Sequence, residues 1–283
     1  MTIIADSGST KTTWMEVESG NMMVTEGLNP HFTTDEQFLA AFAIVRDQLL
    51  APHSSPLIHF YGAGCGSEKQ RLRVAELLSK VFGTSNIHVE TDLLGACRAT
   101  CGNRPGLVGI LGTGSNACYY NGHTISQQAP SLGYVLGDHG SANHVGRMLL
   151  QDYLTDKMPD DISTIFHDTY PNIETEWLEA VYHLPHPNRY LASLAPFATQ
   201  HMAKPYCNGC LCAALDDWYC YQLADLALTA DCRQLHIVGS FGAAILPLLA
   251  GFCRDNGLEP GIVIAAPIER LQAYHTALLH SAP

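Results

Sequence analysis

The chain opens with a short apolar run, Thr2-Ile3-Ile4-Ala5. A polar stretch follows, Asp6-Ser7-Gly8-Ser9-Thr10-Lys11-Thr12-Thr13, and then Trp14-Met15-Glu16-Val17-Glu18, where apolar and polar residues alternate. Alternation at period two predicts a strand, so the polar stretch is expected to join two antiparallel strands. After the turn-rich Glu26-Gly27-Leu28-Asn29-Pro30-His31, a helical period begins at Thr34. It passes through Phe38, Leu39, Phe42, Ile44, Val45 and Leu49, with Pro52 as its stop. Thr34 and Gln37 have the spacing of a capping box. A strand at 57–61 leads into Gly62-Ala63-Gly64-Cys65-Gly66. A helix opened by Ser67 then carries Leu72, Val74, Leu77, Leu78 and Val81 and ends at Gly83. Residues 86–90 form the next strand, Asp92 falls at its end, and a further helix starts at Leu93.

Gly102-Asn103-Arg104-Pro105-Gly106 has the composition of a boundary. Beyond it the opening pattern returns: an apolar strand at 107–111, the turn Gly112-Thr113-Gly114-Ser115, and a returning strand at 116–120. The chain therefore reads as two related halves, each led by a glycine hairpin. Three glycines at 133–140 precede a helix from about Ser141 through Val145, Met148, Leu149 and Tyr153. Residues 158–235 read as mostly helical. A strand at 234–238 runs into Gly239-Ser240-Phe241-Gly242, and one helix through Ile245, Leu248, Leu249 and Phe252 is expected after it. A last strand at 262–264 leads by Pro267 to a C-terminal helix. Strands alternating with helices indicate an α/β fold.

The length of 283 residues suggests two domains. A formal charge of −12 argues against a nucleic-acid or anionic-membrane surface. An anionic ligand would need a local positive site. The N-terminus lacks a basic and apolar leader, and no apolar run is long enough to span a bilayer. A cytoplasmic protein is expected, with its ten dispersed cysteines as reduced thiols.

The candidate chemistry sits in the glycine turns. Gly8 permits positive φ and close backbone approach, and successive backbone N–H groups in such a turn make an anion site. Ser9, Thr10 and Thr12 add hydroxyls, Lys11 adds charge, and Asp6 could hold a hard cation such as Mg²⁺. The stretch is not a P-loop, because no second glycine precedes Lys11 and a strand, not a helix, follows. The turn at Gly239 closes a strand and opens a helix, which directs N–H groups toward a ligand.

These three turns in this order, with Leu136-Gly137-Asp138-His139-Gly140-Ser141-Ala142 between the second and third, resemble the phosphate-1, phosphate-2 and adenosine motifs of the actin, Hsp70 and sugar-kinase superfamily. Within it the chain resembles the N-acetylglucosamine kinase family and the related BadF/BadG/BcrA/BcrD ATPase group, over nearly its whole length. The resemblance implies two ribonuclease H-like (actin-like ATPase) α/β domains with an interdomain cleft. Residues 1–105 plus a C-terminal helix at about 269–283 would form one domain and 106–268 the other. It implies ATP and Mg²⁺ as cofactors and a small-molecule sugar as substrate, with a homodimer as the assembly to look for. Asp6 would hold Mg²⁺ through water. Gly8, Ser9, Thr10 and Lys11 would cradle the phosphates, with Thr113 and Gly114 as the second phosphate turn and Gly239 and Ser240 at the adenosine. Asp92 matches the catalytic aspartate, and Asn29, Ser115, Asn116, Gly133 and Asp138 match the sugar-contacting positions. Two positions depart from the family's usual pattern: Leu132 where tryptophan often stands, and His139 where an acid often follows the aspartate.

The implied reaction is phosphoryl transfer from ATP to a hydroxyl of an N-acetylated or amino hexose, with Asp92 as general base. On its residues alone Asp92 reads equally as the N-cap of the helix at Leu93. The alternatives are an ATPase activator of a partner enzyme and a non-catalytic sugar sensor. Cys207, Cys210 and Cys212 bear on the activator, since related ATPases carry an iron–sulfur cluster. With no second CxxC pair, thiols on a helix are the preferred reading.

Overall fold

The computed structural model describes residues 1–50 and 55–281. Its chain divides into two compact units. One comprises Met1–Arg104, Gly122–Thr124 and Ala266–Pro283, and the other Pro105–Asn121 and Ile125–Ala265.

The first unit is built on β1 (Thr2–Ser7), β2 (Lys11–Glu16), β3 (Met22–Glu26), β4 (Leu57–Gly62) and β5 (Ile87–Thr91), in the order β3-β2-β1-β4-β5. The pairs β1–β2 and β2–β3 are antiparallel, and β1–β4 and β4–β5 are parallel. Helices α1 (Asp35–Leu49) and α2 (Glu68–Phe82) connect β3 to β4 and β4 to β5, and α3 (Asp92–Cys101) follows β5. Thr34 caps α1 in the expected capping box with Gln37. The helix ends at Leu49; Pro52, the expected stop, lies outside the described residues. Gly83 closes α2 at φ +63°, a left-handed conformation that glycine adopts without a Cβ penalty. Trp14, Phe38, Phe42 and Phe60 pack together in the core. Two positions expected inside are not: Ile44 and Leu72 are half exposed, at 50% and 56%. The core faces of α1 and α2 instead use Phe38, Phe42 and Val45, and Val74, Leu77, Leu78 and Phe82.

The second unit repeats this plan. Its strands are β6 (Pro105–Leu111), β7 (Ser115–Asn121), β8 (Ile125–Gln128), β9 (Gln234–Val238) and β10 (Glu259–Ile264), in the order β10-β9-β6-β7-β8. Counted within the unit, strand order and strand directions match those of the first sheet. The recurrence of the glycine hairpin is thus the visible part of a duplicated topology. The strands β3 and β8 were not legible as strands; each lies at a sheet edge with few buried residues.

The helices of this unit are α4 (Gly133–Leu136), α5 (Ala142–Leu154), α6 (Asp160–Thr169), α7 (Ile173–Tyr182), α8 (Pro187–Gln200), α9 (Pro205–Trp218), α10 (Ala224–Thr229), α11 (Ser240–Ala244) and α12 (Leu246–Asp255). The single helix expected after Gly242 is in fact two, α11 and α12. The break falls at Ile245, and Pro247 stands in the first turn of α12, where a missing N–H is tolerated. Five π-helical residues, Tyr219–Leu223, join α9 to α10. Among the described residues no helix is long and apolar enough to cross a membrane.

The last helix, α13 (Ile268–Ser281), belongs to the first unit and packs on α3, β1 and β2. Its His275 enters a buried aromatic cluster. His275 Nε2 and the Tyr61 hydroxyl lie 2.9 Å apart, and Arg98 donates to that hydroxyl at 2.8 Å. His59 stacks between His275 at 4.1 Å and His88 at 4.9 Å. Burial, with the neighbouring histidines and Arg98, lowers His59 to about 3 and, with Arg98 and His88, His275 to about 4. The unfolded rings titrate near 6.5, so the unfolded state binds more protons below that value. The packing of the cluster is therefore fully effective above about pH 6.5 and weakens as the pH falls toward the folded values. His59→Phe is expected to flatten the fall in Tm between about pH 7 and pH 5. A parental slope in thermal melts of that variant would place the acid sensitivity elsewhere.

Candidate functional site

In the first unit the candidate residues gather at the C-terminal ends of β1, β4 and β5. Strand β1 runs on past its apolar start, so Asp6 is held on both sides, opposite Thr13 of β2 and Tyr61 of β4. The turn after it is closed by Gly8 N–H donating to Lys11 O at 3.0 Å. Beneath the turn a buried hydroxyl pair, Ser7 and Thr12, sits at 2.7 Å. Ser7 Oγ bonds the backbone of Leu28, and Thr12 Oγ1 donates to Glu26 O at 3.0 Å. Gly27 passes so close that a Cβ would stand 2.5 Å from Ser9 O and 2.6 Å from Gly8 O, and its N–H donates to Thr10 O. The segment that carries Asn29 is in this way fastened to the underside of the turn.

Asn29 Oδ1 accepts the His31 N–H at 3.0 Å, and its backbone carbonyl accepts from Phe32 and Thr33. Its side chain fills the space over Gly64, where a Cβ would overlap Oδ1; Gly64 has φ +82°. With Oδ1 used within the loop, Asn29 offers a ligand its Nδ2 hydrogens.

Asp92 is the first residue of α3, and the N-cap is Thr91, whose side chain accepts from Leu94 N–H at 3.1 Å. Asp92 Oδ1 accepts the Leu93 N–H at 2.9 Å. The capping role available to Asp92 is thus filled by its neighbour. Burial raises Asp92 to about 6 against the pull of backbone N–H groups. Burial and then the charge of Asp92 raise Asp6 to about 7, while Lys11 pulls it down. Two desolvated carboxylates under mutual repulsion form an all-oxygen donor set that suits a hard divalent cation. The donor chemistry of Asp6 and Asp92 is thus of the kind that Mg²⁺ prefers.

In the second unit the turn between β6 and β7 is closed by Gly112 N–H donating to Gly114 O at 3.0 Å. The start of α5 is tied to it, through Ala142 N–H to Gly112 O and Asn143 N–H to Thr113 O. Asp138 lies directly on this turn: a Cβ on Gly114 would stand 2.7 Å from its carboxylate. Its Oδ1 accepts from Ser115 N–H at 3.3 Å and its Oδ2 from Asn143 Nδ2 at 2.9 Å. Its φ of +54° is left-handed, a strain of order 1 kcal/mol for a residue other than glycine. Burial raises its pKa, opposed by Asn143 and Ser115. The Ser115 hydroxyl donates to His139 O at 2.6 Å, and Asn116 Oδ1 accepts from Ala117 N–H. Gly133, at φ +71°, starts the exposed α4.

Gly239 meets the same turn from the other side. Its φ is +134°, and a Cβ would overlap Leu111 O and crowd Gly112 N at 3.1 Å. Its N–H donates to Ile264 O at 2.9 Å. Thr113, Gly114, Ser115, Asp138 and Gly239 are accordingly one packed assembly, while Ser240 is exposed beside it. Sequence reasoning missed Gly27, Gly64, Asn143 and Gln222; each makes a contact with a residue distant in the chain, though Asn143 also bonds Asp138 five positions away. Cys207, Cys210 and Cys212 lie on α9, the first two buried in the core. Among the described residues no group of three or more His, Cys, Asp or Glu could hold a metal ion.

No protein-family model and no curated protein matches the sequence. Solved structures do. A structure from Porphyromonas gingivalis, described as a candidate N-acetylglucosamine kinase, is 33% identical at a TM-score of 0.90, over 98% of this chain and 99% of that one. One with the same description from Chromobacterium violaceum is 17% identical at a TM-score of 0.71, over 97% and 99%. A ROK-family glucokinase from Streptomyces griseus, solved with glucose and AMPPNP, is 14% identical at a TM-score of 0.55, over 98% of each chain. The last two speak for the fold alone. The two repeated five-stranded sheets are those of the actin-like ATPases and sugar kinases. Within that class the chain belongs to the N-acetylglucosamine kinase family.

The packing of Gly239 changes how that position can be probed. Gly239→Val acts first on Leu111 and Gly112, and is expected to lower Tm markedly. Ser240→Ala, at an exposed position, should leave Tm within about 1 °C of the parent. Melts of the two variants check this; a parental Tm for Gly239→Val would refute the close approach.

Proposed function

We propose that the protein is an ATP-dependent sugar kinase that transfers the γ-phosphate of ATP to a hydroxyl of an N-acetylated or amino hexose such as N-acetylglucosamine. The observation that carries this reading is Asp92, a desolvated carboxylate raised to about 6 and set beside Asp6 at the strand ends. A sugar hydroxyl is a poor nucleophile at neutral pH, and a carboxylate tuned toward the working pH is a suitable acceptor for its proton. Asp92 takes the proton from the attacking hydroxyl as its oxygen bonds to the γ-phosphorus and the bond from that phosphorus to the bridging oxygen of ADP breaks. Gly8, Ser9, Thr10 and Lys11 bind phosphate oxygens, as do Thr113 and Gly114. Gly239 and Ser240 flank the adenosine. Asn29, Ser115, Asn116, Gly133 and Asp138 orient the sugar. Asp6 would hold Mg²⁺, which when bound would neutralise charge on the phosphates.

The family membership and the membership of its 33% identical relative support this reading over that of an ATPase activator. ADP release with a panel of hexoses tests it. A protein that binds ATP but releases ADP at the same rate with every sugar and with none would overturn it.

Asp92→Asn keeps the size of the side chain and an acceptor oxygen for Leu93 N–H, but cannot take a proton. It is expected to lower kcat by roughly 10²- to 10⁴-fold, with ATP and sugar binding retained. A near-parental kcat in a folded Asp92→Asn would remove the residue from the mechanism.

The same carboxylate sets a pH limit. Catalysis needs Asp92 ionised, so kcat should fall tenfold per pH unit below about 6. Protons compete with the metal for Asp6, which is raised to about 7, so the Mg²⁺ concentration needed for half-maximal rate should rise as the pH drops below that value. A pH-independent Mg²⁺ requirement between about pH 5.5 and 7.5 would exclude Asp6 as the metal's ligand.

A further inference from the structure

The helical segment of the second unit from Pro205 to Thr229 is continuous except for its π-turn at Tyr219–Leu223. Such turns insert a residue into the helical ladder and recur at functional sites. Two consecutive side chains of this one reach toward the site, one to His139 and the other to Ser115. The Tyr221 ring stacks on His139, with centroids 4.1 Å apart and planes at 16°. Gln222 Nε2 donates to Ser115 Oγ at 2.9 Å.

The direction of the bonds around Gln222 is settled by its neighbours. The Ser115 hydroxyl gives its proton to His139 O at 2.6 Å, so it can only accept from Gln222. The amide end of Gln222 must therefore point at Ser115. Its other end, Oε1, is buried with no hydrogen-bond partner among the described residues, in a side chain only 8% exposed. A buried acceptor left unpaired destabilises the fold, and a hydrocarbon of the same size would pack there without that penalty. Packing thus does not account for a glutamine here, whereas the donated bond does. Through Ser115 it reaches His139 O, and Ser115 N–H in turn holds Asp138 Oδ1 at 3.3 Å. One side chain on the π-turn thereby fixes the hub that joins the β6–β7 turn to the Asp138–His139 segment.

We propose that Gln222 is a positioning residue, which through Ser115 sets the Asp138–His139 backbone and so the sugar side of the site. The link to sugar rests on the kinase reading above; the link to the segment does not. Gln222 touches neither reacting group in this assignment.

Two variants test it. Gln222→Leu removes the donor and the orphaned acceptor together. Gln222→Glu keeps the shape and replaces the donor with a second acceptor. Both are expected to melt within about 3 °C of the parent, Gln222→Leu at or above it. Amide hydrogen exchange across residues 136–141 should be roughly tenfold faster in both, the scale of one lost hydrogen bond, with α8 and α12 unchanged. In sugar-dependent ADP release the sugar KM should rise roughly tenfold while the ATP KM stays within about twofold. Parental exchange at 136–141 in the folded variants would overturn the proposal. So would exchange accelerated throughout the unit, equal rises in both KM values, or a Gln222→Leu protein that melts more than about 10 °C low, since each marks a residue of general packing. If the parent itself shows no sugar-dependent ADP release, the kinase reading fails, and the exchange measurement alone decides what Gln222 holds.

Discussion

Everything at the candidate site depends on main chain packed against main chain where not even a methyl group has room. Gly27 lies under the turn at Gly8 and Ser9, and Gly239 lies against Leu111 and Gly112. Neither contact stores much energy by itself. Each, however, removes the freedom of a glycine-rich turn that would otherwise sample many conformations, since glycine loses more backbone entropy on ordering than any other residue. A turn held in this way keeps its N–H groups aimed in one direction before any ligand arrives. Preorganisation of that kind is what makes a backbone anion site effective.

The carboxylates are held differently. Asp6 is carried by a central strand with a neighbour on each side, and Asp92 by the first turn of a helix whose cap is another residue. Rigid elements thus bring two desolvated acids close enough for the charge of one to raise the other. Desolvation and repulsion both oppose ionisation, and only Lys11 and a few N–H groups favour it. The arrangement is unfavourable for the folded protein at neutral pH, which is the usual mark of a site kept for chemistry and not for stability.

Much of this was legible in the sequence. The hairpins announced themselves because β1, β2, β6 and β7 lie in sheet interiors and carry apolar residues at strand period. Strands β3 and β8 did not, because edge strands bury little and their residues are free to be polar. The positions named for the site came from the order of the glycine turns. The residues that fix them did not, since Gln222 meets Ser115 and Gly64 meets Asn29 across long stretches of chain that no local period connects. The departure of Asp92 from its capping role was also hidden. Thr91 and Asp92 are both good caps, and only the backbone angles at Thr91 decide between them.

The first unit is assembled from stretches that lie on either side of the second in sequence. Its strands are made first, but α13, which brings His275 to Tyr61 and packs over β1 and β2, is made after the whole second unit. On the ribosome the early sheet therefore waits with the part of one face over β1 and β2 uncovered until the second unit has emerged and α13 follows it. Completion of the first unit then reports that the second has been made in full, so a chain cut short within the second unit would leave the sheet bearing Asp6 open to chaperones and proteases.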